Sequence, residues 1–199
     1  MDKQGKLNRL YTDLTEHFDA LYAPDHKIFV FGDGSPASAI VLIGEAPGEQ
    51  ETLLGKPFVG KAGKNLDEFL DITGLHRPDL FITNVVKFRP VKISDKGRAS
   101  NRPPTREEIS LFRPYLLEEL SIIAPKIIVT LGNVPLHAMT NDTTPISSVH
   151  GQPLLCAPGT VFPLYHPASI IYNRALKETY LDDLQKLKEY ISINKITSP

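Results

Sequence analysis

Residues 39–48 read Ala39-Ile40-Val41-Leu42-Ile43-Gly44-Glu45-Ala46-Pro47-Gly48, five apolar side chains that run straight into a turn of glycine and proline. A strand with one wet face alternates apolar and polar residues; a short uninterrupted run suits a strand buried on both faces. Leu80–Val86 reads as the next strand and Ile127–Leu131 as a third core strand. An earlier apolar run, Ile28–Phe31, is set off by the turn chemistry of Gly32-Asp33-Gly34-Ser35-Pro36. Residues 151–165 read as a hairpin around Ala157-Pro158-Gly159, whose second arm Val161–Tyr165 leads into His166-Pro167.

Helical spacing fills the intervals. Residues 3–22 carry Leu7, Leu10, Tyr11, Leu14, Phe18, Leu21 and Tyr22 at a helical spacing with one apolar face, with Pro24 and Asp25 as the stop. Ala62–Thr73 carries Leu66, Phe69 and Leu70 and halts at Gly74. The helix at 105–123 opens on Thr105 with Glu108 three residues later, a capping box. A short helix at 133–139 and an amphipathic one at 174–191 follow, leaving 192–199 as a flexible tail. Strands alternating with helices predict one α/β domain over residues 1–199, a three-layer sandwich with a mostly parallel sheet covered on both faces.

The 199 residues are 41% hydrophobic and 23% charged, which excludes disordered and collagen-like chains. No apolar run approaches a membrane span, and MDKQGKLNRLYTDL has no apolar signal core. A cytoplasmic chain without membrane contact is therefore expected. Its one cysteine, Cys156, excludes an internal disulfide or a multi-cysteine metal site built from this chain alone. With a net charge of −1, affinity for nucleic acid has to come from a local basic surface.

Ligands of such sheets sit at the carboxyl ends of the strands. Glu45, Asn84 and His166 stand where three predicted strands end, so parallel neighbours would bring them into one cleft. Glycines and prolines between Gly44 and Gly63 let backbone approach a ligand closely. Gly55–Lys61 mimics a phosphate-binding Gly-x-x-x-x-Gly-Lys loop, but Ala62 lacks the hydroxyl that would ligate magnesium, and no strand leads into it. Residues 87–106 hold Lys87, Arg89, Lys92, Lys96, Arg98, Arg102 and Arg106 against Asp95 alone. This basic loop, placed directly after Asn84, is expected to contact phosphates. After His166, Ile170-Ile171 reads as an apolar tip of the kind that wedges into stacked bases.

GEAPGEQETLLGKPFVGKAG, ITNVVKFRP, NRPPT, IIVTLG and HPAS, in this order, resemble the uracil-DNA glycosylase superfamily, most closely family 4, over roughly residues 28–190. The resemblance implies a central sheet of four strands and hydrolysis of the N-glycosidic bond of uracil in DNA, leaving an abasic site. It implies catalytic roles for Glu45, Glu51 and His166, with Glu51 also guarding against the methyl of thymine. Gly44, Ala46, Phe58 and Asn84 would bind the base: Phe58 by stacking, Asn84 by reading O4 and N3–H. His166 would donate to O2. Lys87, Arg89, Arg98, Arg102, Ser169, Ile170 and Arg174 are the expected DNA contacts, and the enzyme is expected to act as a monomer on double- or single-stranded DNA. Another deaminated base, hypoxanthine or xanthine, or a non-catalytic nucleic-acid-binding relative are the alternatives. Family 4 members look like iron–sulfur proteins with four cysteines. Two of those positions are Phe88 and Phe112 here, and the N-terminal pair is missing, so no 4Fe-4S cluster and no other cofactor or metal is expected. The two phenyl rings are expected to pack together in the vacated space.

Overall fold

A computed structural model describes residues 1–23, 25–156 and 159–197, without the side chains of residues 61, 62, 171 and 172. The predicted helix stop at Pro24, the hairpin tip at Ala157-Pro158, the Ala62 and Ile171 side chains and the last two residues of the tail lie outside the described residues. In chain order the elements are α1 (Lys3–Tyr22), β1 (Asp33–Gly34), β2 (Ile40–Gly44), α2 (Glu49–Leu54), α3 (Lys61–Thr73) and, after a 3-10 turn at Arg77–Asp79, β3 (Phe81–Asn84). There follow β4 (Val91–Ile93), β5 (Ala99–Asn101), α4 (Arg106–Ile123), β6 (Ile127–Leu131), α5 (Asn133–Thr140) and α6 (Ile146–Val149). The chain ends with β7 (Leu154–Cys156), β8 (Gly159–Leu164), α7 (Pro167–Tyr172) and α8 (Leu176–Ile193).

The main sheet has the order β1-β3-β2-β6-β8-β7. Its four inner strands are parallel, and β1 and β7 add antiparallel edges. The expected sheet of four strands thus has six, because two very short segments pair along its rims. Ile28–Phe31 joins no strand; Phe29 makes a single bridge to Phe88. All five residues of β2 are buried, as an uninterrupted apolar run demands. Val41 and Ile43 face a core built with Leu7, Leu14 and Phe18 of α1 and Phe112, Leu116 and Leu120 of α4. Ile40 and Leu42 face the other core, with Leu66, Phe69 and Leu70 of α3 and Leu184 and Leu187 of α8.

Helix ends follow local chemistry. Asp2 accepts from Gly5 N–H at 2.8 Å to cap α1, and Thr105 and Glu108 form the predicted capping box of α4. The tail begins later than expected: α8 runs to Ile193, and Ile196 is buried in the second core. No helix among the described residues is long and apolar enough to cross a membrane.

Candidate active site

Glu45, Asn84 and His166 line one pocket of about 700 Å³ at the carboxyl ends of β2, β3 and β8, together with Ala46 and Phe58. The register explains the meeting. Gly44 pairs with Asn84 at the ends of parallel neighbours, and the ladder continues as Val85 and Val86 N–H groups donate to the carbonyls of Gly44 and Glu45. Gly44 itself lies behind the pocket. A Cβ there would stand 2.5 Å from Asn84 Oδ1 and 2.6 Å from Phe58 Cζ, so only glycine admits the amide and the ring side by side.

Asn84 is buried, yet its amide bonds no other described residue. Burial raises the pKa of Glu45, whose carboxylate likewise has no partner among the described residues. Both groups line the open pocket, where a ligand can complete them. His166 caps α7: its Nδ1 accepts from Ala168 N–H at 3.1 Å, which puts the ring proton of the neutral imidazole on Nε2. Burial lowers its pKa and so favours that neutral form. Its ring lies 6.3 Å from that of Phe58 at an interplanar angle of 24°.

Phe58 is only 5% exposed and forms both pocket floor and core. Its φ of 53° is left-handed, a conformation that costs a non-glycine residue about 1–2 kcal/mol. Glu51 helps impose it. One carboxylate oxygen accepts from Val59 and Gly60 N–H at 3.1 and 2.7 Å, and the other from Gly48 N–H at 3.1 Å. Glu51, expected to be catalytic, lines the same pocket, and both its oxygens accept backbone N–H groups, which shapes the loop.

The rim differs from its sequence reading in several places. Lys87, expected on DNA, is buried, with its ammonium 2.7 Å from Glu119 and 2.6 Å from Thr83 Oγ1. A buried ammonium needs such a partner: burial pushes its pKa down and Glu119 draws it back up. It cannot touch a phosphate. Arg89 and Arg102 do line the mouth. Arg89 bonds Asn101 at 2.7 Å and Glu49 at 3.2 Å, while Arg102 grips Glu108 through both terminal nitrogens, at 2.7 and 2.6 Å. These contacts fix the feet of an exposed β4–β5 hairpin where a loop was expected, and Arg98 stands at its turn. Ser169 donates to the His166 carbonyl at 2.6 Å. Ile170, expected as an exposed wedge, is half-buried against the second core. Arg174 is exposed and lies outside the pocket lining.

Phe88 and Phe112 meet as expected, with ring centroids 5.6 Å apart. Phe18 of α1 stacks on Phe112 at 4.1 Å and 5°, and Tyr22 meets Phe88 at 5.4 Å. These rings have no electron pairs for iron, and among the described residues no group of three or more His, Cys, Asp or Glu could hold a metal. The residues present do not fit a cluster. Sequence reading also missed Glu49, Asn101 and Arg77. The first two act through an ion pair and a hydrogen bond across 40 and 12 positions, and Arg77 sits in no motif.

A family model for the uracil DNA glycosylase superfamily matches residues 31–188. The chain is 41% identical over 167 residues to a type-4 uracil-DNA glycosylase of Sulfurisphaera tokodaii, covering 79% of this chain and 72% of that one. It is 39% identical over 180 residues to a type-4 uracil-DNA glycosylase of Saccharolobus solfataricus, covering 86% and 80%. Among solved structures, Pedobacter heparinus SMUG2 superposes with a TM-score of 0.52 over 79% of this chain and 75% of that one, at 16% identity, which is a likeness of fold.

Proposed function

The chain belongs to the uracil-DNA glycosylase superfamily, and from that premise we propose that it hydrolyses the N-glycosidic bond of uracil in DNA, leaving an abasic site. The observation that carries this reading is the pocket: an acid, an amide and an imidazole from three distant segments line it beside a phenyl ring, the first two without partners among the described residues.

An enzyme that acts on a base within a duplex has to extrude it and hold it on a platform. Phe58 is that platform, and the free amide of Asn84 pairs with O4 and N3–H of uracil. As the bond to the sugar breaks, charge gathers on the leaving base. The Nε2–H of neutral His166 donates to O2, where that charge develops, and a donor so placed is worth roughly 100-fold or more in rate. The sugar becomes oxocarbenium-like. Glu45 is the carboxylate left free to face it, since Glu51 is occupied by three backbone N–H groups and Glu49 is paired with Arg89. Ionised Glu45 stabilises the cation and orients the water that adds to C1′.

Arg89, Arg98 and neighbouring bases contact the phosphates, in double- or single-stranded DNA. One chain supplies every group named, so we propose a monomer acting without an iron–sulfur cluster. The test is incubation with labelled oligonucleotides carrying uracil opposite guanine, opposite adenine or in a single strand, beside hypoxanthine, then alkali. Strand cleavage at uracil is expected; cleavage at hypoxanthine alone, or none at all, would reject the reading.

A further inference from the structure

Three consecutive peptide groups, from Pro57 to Gly60, are each held by a charged side chain. Arg77 donates from Nη2 to the Pro57 carbonyl at 2.6 Å and from Nη1 to the Phe58 carbonyl at 3.1 Å. Glu51 takes the N–H groups of Val59 and Gly60. The angles φ and ψ of Phe58 are the relation between the two peptide planes flanking its Cα, and the planar fork of Arg77 grips both of them. Hydrogen bonds to a charged donor are roughly twice as strong as neutral ones, and a left-handed phenylalanine persists only where its surroundings over-determine it. The first turn of α3 closes on the same carbonyl: a Cβ on Gly63 would stand 2.4 Å from Phe58 O.

Arg77 does not line the pocket. It sits half-buried in the 3-10 turn that leads toward β3 and the end carrying Asn84. We infer that Arg77 is a positioning residue for base stacking, setting the plane of the Phe58 ring against Asn84 and His166 without touching the base. The inference rests on the reading of Phe58 as the platform for a flipped uracil. Lysine is a poor substitute here, because a single ammonium cannot reproduce a rigid fork across two carbonyls.

A double-mutant cycle separates action through Phe58 from support of the fold. Single-turnover release of uracil from an oligonucleotide is measured for the unaltered protein, Arg77→Met, Phe58→Ala and the pair. Arg77→Met should slow release about tenfold while Phe58 is present, and less than about twofold once Phe58 is alanine. Binding of undamaged duplex should not change. Arg77→Lys should fall between the unaltered protein and Arg77→Met, and it carries the same cycle if the methionine variant does not fold. An equal loss in both Phe58 backgrounds, with uracil still released by the unaltered protein, would overturn the inference alone. No release by the unaltered protein would overturn the uracil reading and the inference with it.

Discussion

Asn84 and Phe88 are four residues apart and border interiors of opposite character. Around Asn84, its amide and the Glu45 carboxylate have no partner among the described residues, in a pocket framed by a left-handed Phe58. Around Phe88 the interior is aromatic and its buried charge is paired. Phe18, Tyr22 and Phe112 meet in stacked and tilted contacts, and the buried Lys87 bonds both Glu119 and Thr83, with Tyr11 OH donating to Glu119 at 2.6 Å. A left-handed phenylalanine costs a fold stability, while aromatic packing adds to it. One region therefore carries the strain that chemistry needs, and the other supplies the stability that tolerates it. This contrast also explains how the chain manages with phenyl rings where the resemblance implies iron-binding cysteines.

The contrast breaks most visibly at Phe112, which is fully buried at the centre of the aromatic block. Phe112→Ala should destabilise the protein by about 3–5 kcal/mol, lowering the melting temperature by roughly 10 °C. Uracil release at low temperature should persist, since no pocket group is lost; thermal melts and an excision assay on the same sample check both halves.

Asn84→Ala is the reverse case. Excision should fall about 100-fold or more, with the melting temperature unlowered and undamaged-DNA binding unchanged, because Asn84 reads a base and not the backbone. Loss of general DNA affinity would place it in the wrong class.

The acidic limb of the pH profile sharpens the assignment of Glu45. Burial raises its pKa above the ordinary 4.5, so the ionised form is lost at a higher pH than for an exposed glutamate. Single-turnover rates should decline as pH falls through that raised value. His166, whose pKa burial lowers, stays neutral to more acidic pH than an ordinary imidazole. Glu45→Gln should slow release at neutral pH and remove the Glu45 part of the limb; an unchanged profile would assign the limb elsewhere.

The smallest effect concerns the rim. Replacing Arg89 and Arg98 together should weaken binding to all duplex sequences alike, and reduce the slope of log K against log salt by up to about 2. Lys87→Met, removing a base that never reaches solvent, should leave that slope untouched.

Legibility in the sequence followed how local each determinant was. The apolar run into Gly44, the cap at Thr105 and the stop at Gly74 depend on neighbours in the chain, and all appear where expected. The meeting of Glu45, Asn84 and His166 was legible because parallel strands end on one side of a sheet. Edge strand β1 was hidden inside a turn, Asp33-Gly34, since two residues carry no pattern. The hairpin β4–β5 was hidden because nearly every residue in it is exposed. Helix α2 lies within a glycine- and proline-rich loop, and the carboxylate that ties its start to Gly60 acts across nine positions. Lys87 looked like surface because its partner, Glu119, sits 32 residues later on a helix.

Iron content and uracil release, measured on one purified sample, decide whether this chain excises uracil without a cluster. Alkali-sensitive cleavage at uracil by a colourless protein whose iron is far below one atom per chain is the expected result. Brown protein with stoichiometric iron, or release confined to an iron-bearing fraction, would contradict it.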